Sequence, residues 1–204
     1  MSDNDWLSAG DFQKRTYNSY DEYATHQAEK LGKLNLANYE QGFYKELSKR
    51  LEPLKPSLNN GKSVLCLGAR TGIECRVFID MGCFAVGIDL NPGSKNSYVL
   101  HGDFHNLQFA DKSADCVFTN ALDHAFDLER VLGEVRRVLK RGGMFIAEIV
   151  DPSARGPGDY ESLWWKDLAT VVNAILAAGF TLREQRTFLS PWQGAHCIFI
   201  NETY

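Results

Sequence analysis

Residues 63–72 read SVLCLGARTG, and this stretch decides the fold. The uncharged apolar run over 63–67 predicts a buried strand. Gly68 and Gly72 bracket a tight turn, and the IECRVFIDMG that follows predicts a helix. A strand, a glycine turn and a helix in this order form a corner where a ligand can approach the backbone and meet free N–H groups. The stretch therefore predicts a nucleotide-binding corner in an α/β protein.

The same alternation continues towards the carboxyl terminus. Further strands are predicted at CFAVGIDL, SYVLHGDF, DCVFTN, MFIAEIV, TLREQRTFL and HCIFIN. One helix is expected to start at Leu128 after an Asp127 cap, with Leu139 on its apolar face and Gly142 after its end. Another is expected over about 167–178. Seven strands in this arrangement predict an α/β fold, a doubly wound and mostly parallel sheet whose last strand is antiparallel.

The connection after the second strand of this series is short. Nine residues separate Asp89 from Val99, fewer than the dozen or so that a helical crossover needs. We therefore expect a turn there in place of a helix.

The amino-terminal part has a different sequence pattern, which indicates helices and no strands. Residues 1–18 show no periodicity, whereas Ser19 and Glu22 have the spacing of a capping box that opens a helix. A second helix carries apolar residues at steps of four and stops at Pro53, before a linker over 52–62. We expect residues 1–56 to form a helical cap or lid and residues 57–204 to form the sheet domain.

Composition excludes several classes of protein. The 204 residues carry 22 basic and 26 acidic side chains, a net charge of −4, without the basic surplus of a nucleic-acid binder. Five cysteines without C-x-x-C spacing predict buried thiols, with neither a disulfide framework nor a metal site. No apolar run reaches the length of a membrane span, and we expect a cytoplasmic protein without a membrane partner.

The glycine turn resembles the first motif of the class I S-adenosylmethionine-dependent methyltransferases, V-L-D-L-G-x-G-x-G. A dinucleotide fingerprint would require glycine at positions 70 and 73, where Arg70 and Ile73 stand. The resemblance extends over about residues 63–150. VGIDLNP, GDFHNLQFADKSADCVFTNALDH and VLKRGGMFI are similar to later motifs of the family, in the same order. The family has a Rossmann-like fold with S-adenosylmethionine as cofactor.

This resemblance implies roles for particular residues. Asp89 would accept hydrogen bonds from the ribose hydroxyls, because a carboxylate can serve both at once. Asp103 would accept from the adenine amino group, and Asn120 would lie near the methionyl part. The cofactor-binding residues implied are Gly68, Ala69, Arg70, Gly72, Asp89, Leu90, Asp103, Phe104 and Asn120.

Two positions depart from the family motif. Cys66 stands where the family has an acid, and Arg70 stands at the central glycine. In the family that acid helps to hold the ammonium group of the cofactor. Its loss leaves backbone carbonyls and Asn120 for that task. We hypothesise that Arg70 compensates by pairing with the carboxylate of the cofactor.

The residues that contact the methyl acceptor are expected to follow the fourth strand of the domain. Methyl transfer needs alignment of the acceptor and, for a protonated acceptor, removal of its proton. His124 is the candidate base, since its ordinary pKa suits proton removal near neutrality. Asp123 and His105 are second choices. The structural alternative is that His124 only orients the loop before the helix that Asp127 caps.

Aromatic residues at both ends of the chain have two interpretations. Those between Trp6 and Tyr23 either cover the carboxyl edge of the sheet as a substrate lid or pack a helix on the body. Trp164 and Trp165 are expected in a loop at the same edge, where ligands bind in open α/β sheets. Aromatic residues there would suit a small, partly apolar acceptor.

The leading hypothesis is therefore a methyltransferase that acts on a small molecule. The alternatives are a cofactor-binding protein without catalysis, such as a scaffold or sensor, and an NAD(P)-dependent oxidoreductase. A nucleic-acid methyltransferase is disfavoured by the charge balance.

Overall fold

The computed structural model describes residues 6–33, 37–93 and 97–202. The strands are β1 (Trp6–Ala9), β2 (Phe12–Arg15), β3 (Ser63–Leu67), β4 (Phe84–Asp89), β5 (Val99–His101), β6 (Ala114–Thr119), β7 (Leu139–Val150), β8 (Leu163–Trp165), β9 (Phe180–Phe188) and β10 (Gly194–Asn201). The helices are α1 (Tyr20–Lys33), α2 (Ala37–Leu51), α3 (Lys55–Leu58), α4 (Ile73–Asp80), α5 (Leu128–Val138) and α6 (Leu168–Ala177).

The main sheet has seven strands in the order β5-β4-β3-β6-β7-β10-β9. The pairs from β5 to β7 are parallel, and β10 is antiparallel to both of its neighbours. The predicted doubly wound, mostly parallel sheet with an antiparallel last strand is confirmed. The strand order reverses between β3 and β6, and ligands bind at such switch points because the loops diverge there.

The register brings the expected site residues to one edge. Leu67 pairs with Ile88 on one side and with Thr119 on the other, while Asp89 pairs with His101. The carboxyl ends of β3, β4, β5 and β6 therefore lie in a row. The short connection from β4 to β5 contains no helix at 90–93 or 97–98, as its length predicted.

Two apolar clusters cover the faces of the sheet, because side chains alternate along each strand. Leu65 and Leu67 face the cluster that includes α5 and α6. Val64 and Cys66 face the opposite cluster, which includes α2 and α4. All five cysteines are free and buried. Among the described residues, no helix is both long and apolar enough to span a membrane.

The cap is not wholly helical. Residues 6–15 form the hairpin of β1 and β2, and β2 pairs with β8 through Phe12 and Trp165. The expectations of an unpatterned amino terminus and of a loop at Trp164 were therefore wrong. These strands are three or four residues long, and their pairing partners lie about 150 residues apart along the chain, so local periodicity does not reveal them.

Three local predictions also need correction. Ser19 Oγ accepts from Glu22 N as the capping box requires, but the Glu22 carboxylate accepts from Asn18 and not from Ser19. The expected linker over 52–62 contains helical turns, because prolines sit at first-turn positions where no N–H is needed. Leu139 begins β7 and is not part of α5, and Gly142 lies within β7.

Candidate functional site

The glycine turn requires glycine at its first position. Gly68 has a φ of +69°, and a Cβ added there would lie 2.6 Å from the Cβ of Ala121. Gly72 also has a positive φ and caps the amino terminus of α4. Arg70 adopts a φ of +38°, in the left-handed region that favours glycine, where the family motif has its central glycine. The backbone of the turn therefore keeps the shape of the motif although the residue differs.

Asp89 ties this turn to the end of β4. Its Oδ2 accepts from the backbone N of Arg70 at 3.0 Å, and its Oδ1 accepts from the backbone N of Asn91 at 2.8 Å. Each carboxylate oxygen can accept a further hydrogen bond. Asp89 is thus oriented by the backbone and can still receive hydroxyl donors from a ligand.

A narrow cleft of about 50 Å³ adjoins Asp89. Tyr23 and Gln27 of α1 cover it from above. Its walls are largely apolar, with a carboxylate at one end, and include Ile88, Asp89, Leu90, Gly102, Phe104 and Ala121. This combination suits the flat ring and vicinal hydroxyls of a nucleoside.

Asp103 lies behind this cleft and does not line it. Its Oδ2 accepts from the Tyr20 hydroxyl at 2.6 Å, and its Oδ1 accepts from the backbone N and ring Nδ1 of His105, both at 2.8 Å. Burial by itself would raise the pKa of Asp103, but the hydrogen bonds from His105 and Tyr20 lower it overall. Asp103 is therefore an ionised, paired carboxylate.

A larger cavity of about 260 Å³ lies on the other side of the turn. Gly68, Arg70, Ala121 and His124 line both spaces, so the cleft and the cavity are continuous around the turn. Charged and polar groups dominate the cavity wall: Lys30, Glu40, Arg70, Glu74, Asn120, Asp123, His124, Arg155 and Glu161. The two spaces differ accordingly in the chemistry they offer.

Glu74 is a buried acid in the first turn of α4, with 7% of its surface exposed. Its Oε1 accepts from Asn120 Nδ2 at 3.3 Å. Burial raises the pKa of Glu74 to about 8, although Asn120 and the charge of Arg70 act in the opposite direction. This residue was not predicted from the sequence. An acid among the buried neighbours Ile73, Cys75, Val77 and Phe78 was the available signal.

His124 is held at both ring nitrogens. Its Nδ1 lies 2.9 Å from the carbonyl oxygen of Tyr160, which can only accept, so Nδ1 carries the proton. Its Nε2 then accepts from Lys30 Nζ at 2.8 Å. Burial, followed by the positive charge of Lys30, lowers the pKa of His124 well below its ordinary value. The imidazole is therefore neutral at physiological pH.

Two acids and two cations surround this histidine. Burial and the neighbouring Glu161 raise the pKa of Asp123 to about 7, while burial and the charge of Arg70 lower the pKa of Lys30 to about 8. Arg155 lies 2.9 Å from Glu161 and 3.7 Å from Asp123. Donor atoms of Asp123, His124 and Glu161 come within 4.8 Å of one another, but Lys30 and Arg155 already neutralise them, which disfavours a metal ion.

The aromatic residues have separate roles. Tyr20 and Tyr23 pack against His105 and Phe126, and the Tyr23 hydroxyl donates to the His124 carbonyl at 3.0 Å. Trp164 and Trp165 instead lie in the core. They stack on each other, and Trp165 Nε1 donates to the Val150 carbonyl. The expectation that this pair faces a ligand was wrong because β8 pairs with β2 and turns both indoles inward.

The other predicted residues divide between the two spaces. Asp89, Leu90 and Phe104 line the cleft, whereas Ala69 and Asn120 line the cavity. Gly72 lines neither of them and shapes the turn. His105, a second-choice base, is buried and hydrogen-bonded to Asp103, while its Nε2 accepts from the backbone N of Phe126 and Asp127. It therefore stabilises the loops behind the cleft.

Comparison with known proteins agrees with this architecture. Residues 65–147 match the methyltransferase domain family. Over these residues the chain is similar to the class I S-adenosylmethionine-dependent methyltransferases. A solved 1,6-didemethyltoxoflavin-N1-methyltransferase of Burkholderia thailandensis, with bound S-adenosylhomocysteine, shares the fold with a TM-score of 0.67 and 14% identity, over 95% of this chain and 97% of that one.

The curated relatives that match this chain are named for different acceptors. Malonyl-[acyl-carrier protein] O-methyltransferase 1 of Coxiella burnetii is 33% identical over 46% of this chain and 35% of the relative. Sterol 24-C-methyltransferase of Eremothecium gossypii is 34% identical over 45% of this chain and 29% of the relative. The chain thus spans about a third of the length of these relatives.

The residues of the site fit S-adenosylmethionine. A Cβ at position 68 would fill the space next to Ala121, so the turn leaves room for a ligand to approach its backbone. Asp89 offers acceptors for a ribose, and the cavity next to the turn contains both a cation and a buried carboxylate for a zwitterionic amino acid. By contrast, Arg70 and Ile73 stand where a dinucleotide fingerprint has glycines.

Proposed function

We propose that the protein transfers a methyl group from S-adenosylmethionine to a small polar molecule. The observation that carries this proposal is the continuity of an apolar cleft at Asp89 with a charged cavity around Gly68. When bound, S-adenosylmethionine supplies an electrophilic methyl group on a sulfonium centre. The residues of the chain would hold the cofactor, align the acceptor and remove its proton.

On the cleft side, Asp89 would accept from the two ribose hydroxyls, and Leu90 and Phe104 would flank the adenine. Asp103 does not line the cleft as it stands, so its Oδ2, which Tyr20 engages once, would receive the adenine amino group only after α1 moves. Because Tyr23 and Gln27 cover the cleft, α1 would have to move to admit the ligand. Within the amino-terminal part, α1 would thus act as a lid, whereas α2 packs on the sheet.

On the cavity side, Arg70 would pair with the carboxylate of the cofactor, and Asn120 would contact its methionyl part. His124 would act as the base for a protonated acceptor once Lys30 turns away from Nε2. A charged lining and a volume of about 260 Å³ favour a small polar acceptor over a large apolar one. The oxygen, carbon and nitrogen acceptors of the relatives do not specify the atom methylated here.

A ligand panel tests the proposal. Melting temperatures are measured with S-adenosylmethionine, S-adenosylhomocysteine, NAD and NADP on the wild type, Gly68→Val and Gly133→Ala. Gly133 has no atom within 4 Å of an added Cβ, so it is the matched control. We expect the adenosyl ligands to stabilise the wild type and Gly133→Ala by about 2.7 kcal/mol at 100 times Kd. Gly68→Val should lose this effect.

Two outcomes would contradict the proposal. Stabilisation by NAD or NADP alone would favour the oxidoreductase. Stabilisation by the adenosyl ligands, with no transfer of labelled methyl groups to any member of a broad small-molecule pool, would favour a sensor or scaffold without catalysis. Methyl transfer that Gly68→Val abolishes and Gly133→Ala retains would support the enzyme.

A further inference from the structure

We propose that the Glu74 carboxylate receives the ammonium group of S-adenosylmethionine, in place of the acid that the family motif has at position 66. This inference rests on the proposed function and names a residue that the motif does not contain. It concerns the amino acid part of the cofactor only. The adenosine part would be held on the opposite side of the turn.

The first argument is that the Glu74 side chain is buried and has no ion-pair partner among the described residues. It is 93% buried, yet it lines the cavity beside the glycine turn. Among the described residues, the one side chain that donates to it is the neutral amide of Asn120, and no cation lies at ion-pair distance from it. A buried carboxylate is unfavourable unless it is neutral or paired, so this position suits an incoming cation.

The second argument is that Cys66 cannot perform the task of the acid it replaces. Its side chain is fully buried in β3 and does not line the cavity. Burial, together with the neighbouring Cys75, raises the pKa of the Cys66 thiol well above its ordinary value, so it carries no charge. A negative charge for the ammonium group must come from another element, and α4 supplies it two residues after Gly72.

The third argument is charge complementarity within the cavity. Arg70 and Glu74 both line it, and the positive charge of Arg70 is close enough to lower the pKa of Glu74. A free amino acid group has one negative and one positive end. Arg70 would pair with the carboxylate and Glu74 with the ammonium group, so the two ends of one ligand would match the two charges.

This arrangement links binding to proton release. Burial raises the pKa of Glu74 to about 8, so Glu74 is mostly protonated at pH 7 before the ligand binds. An adjacent ammonium group favours the ionised form, and binding would expel the proton. Affinity should therefore rise between about pH 6 and pH 8. The charged and titratable groups that face Glu74 or share its cavity are Lys30, Glu40, Cys66, Arg70, Cys75, Asp123, His124, Glu148, Arg155 and Glu161.

Because several of these groups titrate in the same range, the experiment compares ligands and variants by calorimetry. The ligands are S-adenosylhomocysteine and 5′-deoxy-5′-(3-carboxypropylthio)adenosine, which lacks only the amino group. The variants are Glu74→Gln, which keeps the shape and the contact to Asn120, and Glu52→Gln, an exposed acid of the same charge. We expect Glu74→Gln to lose about 30-fold in affinity for S-adenosylhomocysteine and less than about threefold for the analogue. Glu52→Gln should lose neither.

Calorimetric titration in buffers of different ionisation enthalpy measures the number of protons released when the ligand binds. At pH 7 the wild type should release most of one proton with S-adenosylhomocysteine and much less with the analogue. This comparison needs no variant, so it holds even where Glu74→Gln folds poorly. Equal proton release with both ligands, or an equal loss of affinity for both in Glu74→Gln, would overturn the role of Glu74. Failure of the wild type to bind either ligand would instead overturn the proposed function itself.

Discussion

The acids on the two sides of the glycine turn are held in opposite ways. On the cleft side, Asp89 and Asp103 receive hydrogen bonds at both of their oxygens, from backbone N–H groups and from Tyr20 and His105. On the cavity side, burial raises the pKa of Glu74 to about 8 and that of Asp123 to about 7. On the cleft side hydrogen bonds hold the carboxylates in place, whereas on the cavity side burial favours the neutral form of these two acids.

This difference matches two kinds of recognition. Neutral donors such as hydroxyl and amino groups are bound well by an ionised, oriented carboxylate, because little has to change on binding. A buried acid near its pKa can gain or lose a proton when a charged ligand arrives. The cleft side is therefore suited to the constant adenosine part, and the cavity side to groups that carry charge or exchange protons.

Substitution of Asp89 should produce the largest effect. Asp89→Ala removes the acceptor proposed for the ribose and leaves two backbone N–H groups without the carboxylate that they donate to. We expect a loss of about 100-fold in affinity, or about 2.7 kcal/mol, for S-adenosylhomocysteine and for 5′-methylthioadenosine alike. Calorimetry checks both ligands, with the exposed Asp11→Ala as control. A loss of affinity for S-adenosylhomocysteine alone would contradict the assignment of Asp89 to the adenosine part, since Asp89 would then act on the amino acid part.

Asp123→Asn should change the pH dependence of stability. The pKa of Asp123 is raised from 3.8 to about 7, so its contribution to stability is complete below about pH 4 and is lost as pH rises to about 7. Denaturant unfolding should show the wild type losing about 2 kcal/mol more than Asp123→Asn across this range.

The paired acid Asp115 offers a control of opposite sign. Burial alone would raise its pKa, but hydrogen bonds from Lys140, Ser63 and Lys62 hold it well below its usual range. Its contribution is therefore present above about pH 4 and is lost as pH falls. Asp115→Asn should make the free energy of unfolding less dependent on pH below about pH 4. It should leave the pH dependence between pH 4 and pH 7 unchanged. The same slope in the wild type and in Asp123→Asn would contradict the interpretation.

The smallest expected effect concerns Lys30. Its ammonium group lies 2.8 Å from His124 Nε2 and helps to lower the pKa of the imidazole. Lys30→Met should raise the pKa of His124, since one cation next to the ring is removed. Titration by NMR of the ring protons measures this, with the exposed Lys49→Met as control. An unchanged pKa would show that burial alone keeps His124 neutral.

Much of the fold was predictable because its signals are local. Alternation of apolar strands with helices, and Gly68 after the end of β3, indicated the sheet and the edge of it at which Asp89 and Asn120 lie. The hairpin over residues 6–15 and its pairing with β8 were not predictable, because strands so short are stabilised by a distant partner. Glu22 likewise had the spacing of a capping box, but its carboxylate bonds to Asn18.

By itself, the sequence determined the order of the elements and the edge at which the site lies, because strand ends and glycine turns are properties of neighbouring residues. Only the tertiary structure decided which acids accept hydrogen bonds at both oxygens and which are buried with fewer donors. Asp103 and Glu74 are both acids that follow a glycine in the sequence region of the site, but Tyr20 and His105 donate to the first, whereas Asn120 is the side chain that donates to the second among the described residues. Charge states depend on burial and on partners brought together by folding, and spacing along the chain does not contain that information.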